Sequence, residues 1–273
     1  MSRHVAAMPP EVMSEAHAGA EYVRTIQQHA SDRQAREAFQ SLALTHVHPG
    51  CTIFDFGAGT GIDARFFAER GLCVRVYDND PRMRRYLAAT CRDLIDAGRI
   101  VPEAGEYAEF LTRTPEPGVP PVHLVIANFA PLDLIDDLSV LFAKLHALTV
   151  PGAALLASVL SPYYLGDLKY GWRWRGMIEQ WRTGKLIAQG ARGNIIRRHL
   201  PVFSADCTPW FRLERVFRGL PPRDATEATG MDVALNSRAT WLRLTRCRFM
   251  FLLFRREPAE RCGRGHLDTS GHH

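Results

Sequence analysis

The stretch Thr52-Ile53-Phe54-Asp55-Phe56-Gly57-Ala58-Gly59-Thr60-Gly61 decides the fold. It reads as a buried strand that ends in a glycine-rich turn and opens a helix. Seventeen residues past Gly61, at the end of a second apolar-rich stretch, stands Asp78. A strand, a glycine turn and a second strand ending in an acid describe a pocket for a nucleoside. The glycines let the backbone approach the ligand, and the acid accepts hydrogen bonds from ribose hydroxyls.

The glycine spacing is G-x-G-x-G. A dinucleotide fold wants G-x-G-x-x-G, in which the last glycine packs helix on strand and the helix N-terminus holds a pyrophosphate. Here that third site is Ile62, and the first turn also carries Asp63, which a diphosphate would disfavour. Asp55 lies two residues before the first glycine, where a cationic amino group could be met. The pattern from Asp55 to Gly61, D-F-G-A-G-T-G, resembles motif I of the class I S-adenosylmethionine-dependent methyltransferases. The resemblance implies S-adenosylmethionine as cofactor, with Gly57, Ala58, Gly59 and Gly61 under its methionine part. It implies that Asp78, with Asn79 beside it, holds the ribose. It also implies that Glu106 meets the adenine amino group and that the Tyr107 N–H meets a ring nitrogen.

At 273 residues and 46% apolar content the chain can bury one sizeable core. A net charge of +5 is too mild to point to nucleic acid. Six cysteines at 51, 73, 91, 207, 247 and 262 form no C-x-x-C pair and read as small core residues of a reduced, cytoplasmic protein without a metal site. No charged-then-apolar signal segment opens the chain, and the late apolar run Phe249–Phe254 is far too short to span a bilayer, so no membrane partner is expected. The histidines at 266, 272 and 273 fall in a Gly-rich tail.

Residues 1–10 read as an arm, and 11–44 as one or two helices. A helix follows from Ile62 to Arg70, a strand from Leu72 to Tyr77, and a helix capped by Asp80-Pro81 running to about Gly98. Ile100-Val101 is a short strand, Pro115–Pro121 a surface loop, and Val122–Ala127 an unbroken strand suited to the middle of a parallel sheet. A helix from Asp133 to Leu148 and a strand from Ala153 to Leu160 complete the alternation. Phe211–Phe217 and Leu242–Phe254 have strand character. The predicted fold is therefore α/β: a doubly wound, seven-stranded, mostly parallel sheet with an antiparallel C-terminal strand pair and an inserted lid. The predicted division is a helical cap over 1–49, a cofactor-binding Rossmann-like core over 50–160, a substrate lid over 161–209, sheet-completing strands over 210–258 and a tail over 259–273.

In the resembling fold the strand ending at Ala127 stops beside the cofactor's methyl group. Asn128 and Phe129, in Asn-Phe-Ala-Pro-Leu, are therefore expected at the cofactor and the acceptor respectively. Nucleic-acid amino-methyltransferases carry two prolines and an aromatic after this Asn, and their lack here turns the reading toward a small molecule. Tyr163, Trp172, Arg173 and Arg175 of the lid are expected to wall the acceptor pocket, with the arginines holding an acidic group. Methyl transfer needs alignment above all, with a base where the nucleophile is protonated; His199 and Tyr163, and after them Asp133, are the candidates. Two rival readings stand beside methyl transfer to a small acceptor. One is an RNA or protein methyltransferase that docks through the basic lid, and the other is a non-catalytic nucleoside-binding regulator. The sequence leaves the oligomeric state open.

Overall fold

The strand Thr52–Phe56 (β1) is buried at all five positions and sits in the middle of a single large sheet. It belongs to a computed structural model that describes residues 30–114, 118–190, 193–220, 231–232 and 244–257. Before β1 comes α1 (Ala30–Leu44), which turns Ala35, Phe39 and Ala43 inward; the Phe39 ring meets Phe251 edge-on at 5.3 Å. After it come α2 (Ile62–Ala68), β2 (Cys73–Tyr77), α3 (Pro81–Thr90), α4 (Arg92–Asp96), β3 (Ile100–Pro102), α5 (Tyr107–Thr112), β4 (Val122–Ala127), α6 (Leu138–Leu148) and β5 (Thr149–Leu160). Then follow α7 (Gly171–Thr183), the hairpin β6 (Lys185–Gly190) and β7 (Gly193–Arg198), α8 (Leu200–Cys207), β8 (Phe211–Arg218), a two-residue edge strand β9 (Met231–Asp232) and β10 (Phe249–Arg256).

The sheet order is β3-β2-β1-β4-β5-β10-β8-β9. Strands β1 to β5 pair in parallel, with Ile53 opposite Val74 on one side and Leu124 on the other. Strand β10 runs antiparallel between β5 and β8. The predicted seven strands and their antiparallel C-terminal pair are thus present, and β9 adds a short edge. Side-chain alternation along the strands builds one core on each face. Phe54, Val125, Leu155 and Leu252 point to the layer holding Phe110, Phe142 and Phe203. Ile53, Leu124, Leu156 and Phe251 point to the layer holding Phe39, Phe67 and Leu87. The order reverses between β1 and β4, and in open sheets ligands bind outside the carboxyl ends of the strands at such a point.

Several boundaries differ from the sequence reading, each for a visible reason. The helix expected from Asp80 to Gly98 breaks at Cys91, which is buried. The helix expected from Asp133 begins only at Leu138, capped by the Asp137 side chain accepting from the Ser139 N–H at 2.9 Å. Pro131–Leu134 forms a 3-10 turn instead, because Asp133 is fully buried and accepts the Leu160 N–H at 2.8 Å. Strand β5 starts at Thr149 and absorbs the Val150-Pro151-Gly152 turn. The final strand starts at Phe249, after a turn at Leu244–Cys247. The arm at 1–10, the helix expectation before Ala30, Cys262 and the tail histidines lie outside the described residues.

Candidate functional site

The glycine turn is held by the strand beside it. The N–H groups of Gly57 and Ala58 donate to the Tyr77 carbonyl at 2.8 and 3.0 Å. Gly57, Gly59 and Gly61 have φ of 76°, 55° and 81°, in the left-handed region that glycine tolerates. Their roles differ. A Cβ on Gly57 would come within 2.5 Å of Pro131 Cβ, and one on Gly61 within 2.8 Å of Leu87 Cγ. These two glycines let neighbouring elements close on the turn. A Cβ on Gly59 would meet nothing nearer than 4.0 Å and would project into a cleft. The Gly59 N–H donates to Asp78 Oδ2 at 2.7 Å, and the Asp80 N–H donates to Asp78 Oδ1 at 2.8 Å, so the acid is fixed at the end of β2.

The cleft measures about 1110 Å³, above the roughly 300–1,000 Å³ usual for one small ligand. Of the residues singled out from sequence, Gly57, Gly59, Asp78, Asn79, Glu106, Tyr107, Asn128 and Phe129 line it. Every described lining residue falls between Phe56 and Val140. Asp55, Ala58 and Gly61 do not line it. Asp55 is buried under the turn; burial, then the charge of Asp63, pushes its carboxyl well above the usual carboxylate range, and its Oδ2 has no partner.

Asp63 has a structural role that the sequence did not show. It accepts from Arg36 and Gln40 of α1, the latter at 2.7 Å, and from Asn128 Nδ2 at 3.0 Å. The amide of Asn128 is thereby engaged on both sides, since its Oδ1 accepts the Phe129 N–H at 2.9 Å. Phe129 and Ala130 follow with φ of 61° and 66°, a left-handed pair of non-glycine residues. Such strain persists only where surroundings over-determine it. Here the Ala130 N–H donates to Ser158 O at 2.9 Å, and the Arg36 guanidinium lies 4.4 Å over the Phe129 ring.

On the opposite wall the Tyr107 N–H, expected to meet a ring nitrogen, donates to Asn79 Oδ1 at 3.0 Å. Glu106, expected at the adenine, makes a reciprocal capping box with Glu109 at the start of α5. The sequence reading missed Tyr77, Leu134, Ile135, Asp136 and Val140, which also line the cleft. Tyr77 shares the strand end with Asp78, a signal that was available. The phenols of Tyr77 and Tyr107 are both buried without a hydrogen-bond partner among the described residues; burial pushes Tyr107 up to about 12 and Tyr77 upward also.

The candidate bases lie elsewhere. Tyr163 and His199 do come together, with ring centroids 5.0 Å apart, but away from the cleft. The Tyr163 hydroxyl accepts the Leu200 N–H at 3.1 Å, and His199 pairs with Gln180 at 2.7 Å and precedes α8 as its cap. Both take part in packing the 161–209 segment. Asp133 is sealed from solvent. The side chains of Trp172, Arg173 and Arg175 lie outside the described residues, and α7, which carries them, adds no described residue to the cleft. Arg197 pairs with Asp167. Arg198 is fully buried, donating to the carbonyls of Leu132, Ile135 and Asp136. Among the described residues no cluster of His, Cys, Asp or Glu could hold a metal ion, and no helix is long and apolar enough to cross a membrane.

No protein-family model matches the sequence, and no curated protein matches it. Solved structures do. The chain is similar to an S-adenosylmethionine-dependent methyltransferase from Mesorhizobium loti at 20% identity and a TM-score of 0.55, over 83% of this chain and 100% of that one. It is similar to a TehB-like methyltransferase from Corynebacterium glutamicum at 12% identity and a TM-score of 0.53, over 89% and 99%. A third is the 1,6-didemethyltoxoflavin-N1-methyltransferase of Burkholderia thailandensis, solved with 1,6-didemethyltoxoflavin and S-adenosylhomocysteine bound. It matches at 15% identity and a TM-score of 0.55, over 94% of each chain. The chain has the fold of these methyltransferases.

Proposed function

We propose that this chain transfers a methyl group from S-adenosylmethionine to a small-molecule acceptor. The observation that carries the reading is the conjunction of Gly59, open to the cleft, with Asp78, whose carboxylate is pinned beside it. The turn is a cradle that a Cβ would fill. Beside it stand the buried phenols of Tyr77 and Tyr107, which line the cleft and have no hydrogen-bond partner among the described residues. Asp78 would hold the ribose, since a carboxylate oxygen accepts more than one bond. The bound sulfonium would supply an electrophilic methyl and its own leaving group. What the chain adds is alignment and exclusion of water.

A cleft of this size has room for an acceptor beside the cofactor. Its wall of Leu134, Ile135 and Val140 with Tyr107 favours an acceptor with an apolar body, and the carboxylates of Asp136 and Asp137 disfavour an anionic one. On that wall we favour a neutral or basic acceptor over the acidic one expected from the lid arginines. Asp136, in that wall, is the carboxylate that would take a proton from the acceptor.

Calorimetry with S-adenosylhomocysteine and with NAD tests the reading. The expected result is binding of the sulfur ligand, poor binding of NAD, and a loss of about 1.5–3 kcal/mol for Asp78→Ala, the scale of hydrogen bonds to a charged partner. Tighter binding of NAD would overturn the cofactor assignment. Binding without turnover of a labelled methyl donor against metabolite extracts would favour the regulator.

A further inference from the structure

Helix α7 turns one apolar face to solvent. Trp174, Ile178 and Trp181 are 57%, 73% and 86% exposed. Their spacing of four and three sets them within about 60° of one another around the helix axis. Leu165 and Tyr170 ahead of the helix, and Ile187 of β6, extend the patch. The helix packs by its other side. Gly176 lies against Leu186, where a Cβ would come within 2.5 Å of Leu186 Cδ1, and the buried Gln180 donates to Pro162 O at 3.1 Å. The exposed face is thus not a lid face turned inward, and none of its three residues lines the cleft. The indole Nε1–H of Trp174 donates to Leu168 O at 2.8 Å, which fixes that ring in place.

The sequence around the stripe is basic. Residues 161–209 hold eight Lys and Arg against three acids. Arg197 pairs with Asp167, and Arg198 with Asp206, inside the protein. That leaves six basic residues against Glu179, clustered in sequence around α7 and the hairpin.

We propose that α7 is a membrane-surface helix that lays Trp174, Ile178 and Trp181 into the interface of an anionic lipid bilayer. Tryptophan and aliphatic residues on one face with basic residues around them is the composition that settles at the headgroup boundary. A single-stranded nucleic acid would stack on the indoles but leave Ile178, Ile187 and Leu165 uncovered. A second copy of this face would bring two basic surfaces together, which like-charge repulsion opposes. The expectation of no membrane partner rested on the lack of a spanning segment, and surface docking needs none. This inference is independent of the proposed reaction.

The intact chain is sedimented with vesicles of phosphatidylcholine containing about 30% phosphatidylglycerol, and with phosphatidylcholine alone. The expected outcome is sedimentation with the anionic vesicles that weakens with salt, and quenching of tryptophan emission by brominated lipid. The triple variant W174S/I178S/W181S should lower partitioning at least roughly tenfold. Thermal unfolding checks that it folds. If it does not, Arg182→Glu with Lys185→Glu, which keeps the apolar face, should weaken binding to anionic vesicles and spare whatever binding neutral ones show. Failure of the intact chain to sediment with anionic vesicles overturns the proposal, as does unchanged binding by both variants. So does RNA retention, or a dimer, that the triple variant abolishes in the absence of any vesicle binding.

Discussion

Asp133 accepts the Leu160 N–H with one oxygen and leaves Oδ1 buried without a partner. Burial lifts its carboxyl to about 7, against the pull of that N–H and of Arg198 and Arg197. The unfolded chain titrates this group near pH 4, so between about pH 4 and pH 7 the native state holds the proton that the unfolded state has released. Stability from this site is therefore greatest below that window, falls as pH rises through it, and levels off above. Asp133→Asn keeps an oxygen for the Leu160 N–H and removes the charge. The variant should match the wild type near pH 4 and exceed it by about 1–3 kcal/mol near pH 8, the scale of burying an unsatisfied polar group. Urea unfolding of both proteins across that range decides it; a gap between them that does not widen with pH would mean that Asp133 stays charged. Asp55, raised by the same burial, bends the wild-type curve in the same direction, so the difference between the two proteins is the quantity to read.

The glycine turn separates folding from binding at adjacent positions. Gly57→Ala meets both a left-handed φ and Pro131, and should destabilise the fold by about 2–4 kcal/mol. Gly59→Ala meets only the φ, at a cost of about 1–2 kcal/mol, but puts a methyl group where the ligand would lie. It should lower S-adenosylhomocysteine affinity at least roughly tenfold while the protein stays folded. Affinity as in the wild type would mean that no ligand approaches the turn closely. The turn was legible in sequence because its constraints are local: spacing sets φ, and the acid at the end of β2 lies a fixed distance on. The start of α6 was not, because a contact with Leu160, remote in sequence, holds Asp133 out of the helix. The contacts of Tyr163 and His199 were hidden for a similar reason. Position in sequence put them near the acceptor, while Leu200 and Gln180, seen only in three dimensions, claim their polar atoms. Arg197 and Arg198 of the same segment are likewise taken up inside the protein, by Asp167, Asp206 and three carbonyls.

At the scale of the whole molecule, the described residues of the 161–209 segment reach the cleft through their bracing and not through their surface. Arg198 binds the carbonyls of Leu132, Ile135 and Asp136, and Ile135 and Asp136 are themselves cleft wall. The half of the cleft built on the glycine turn and Asp78 is held instead by α1 through Asp63 and by the β1–β2 pairing. The two halves should therefore respond separately. Arg198→Met removes the guanidinium, leaves three carbonyls short of a donor and fills part of the same volume. It should destabilise the protein by about 2–4 kcal/mol, since losing one side of a buried charged network costs about that much. Hydrogen exchange should quicken across 131–137, while S-adenosylhomocysteine affinity changes by less than about threefold, because coupling between sites needs a shared element that both bias. An unchanged exchange rate in 131–137 would show that Arg198 is not what holds the wall. A large loss of cofactor affinity in a folded Arg198→Met protein would show the opposite error, that the two halves of the cleft form one unit and that the segment governs cofactor as well as acceptor.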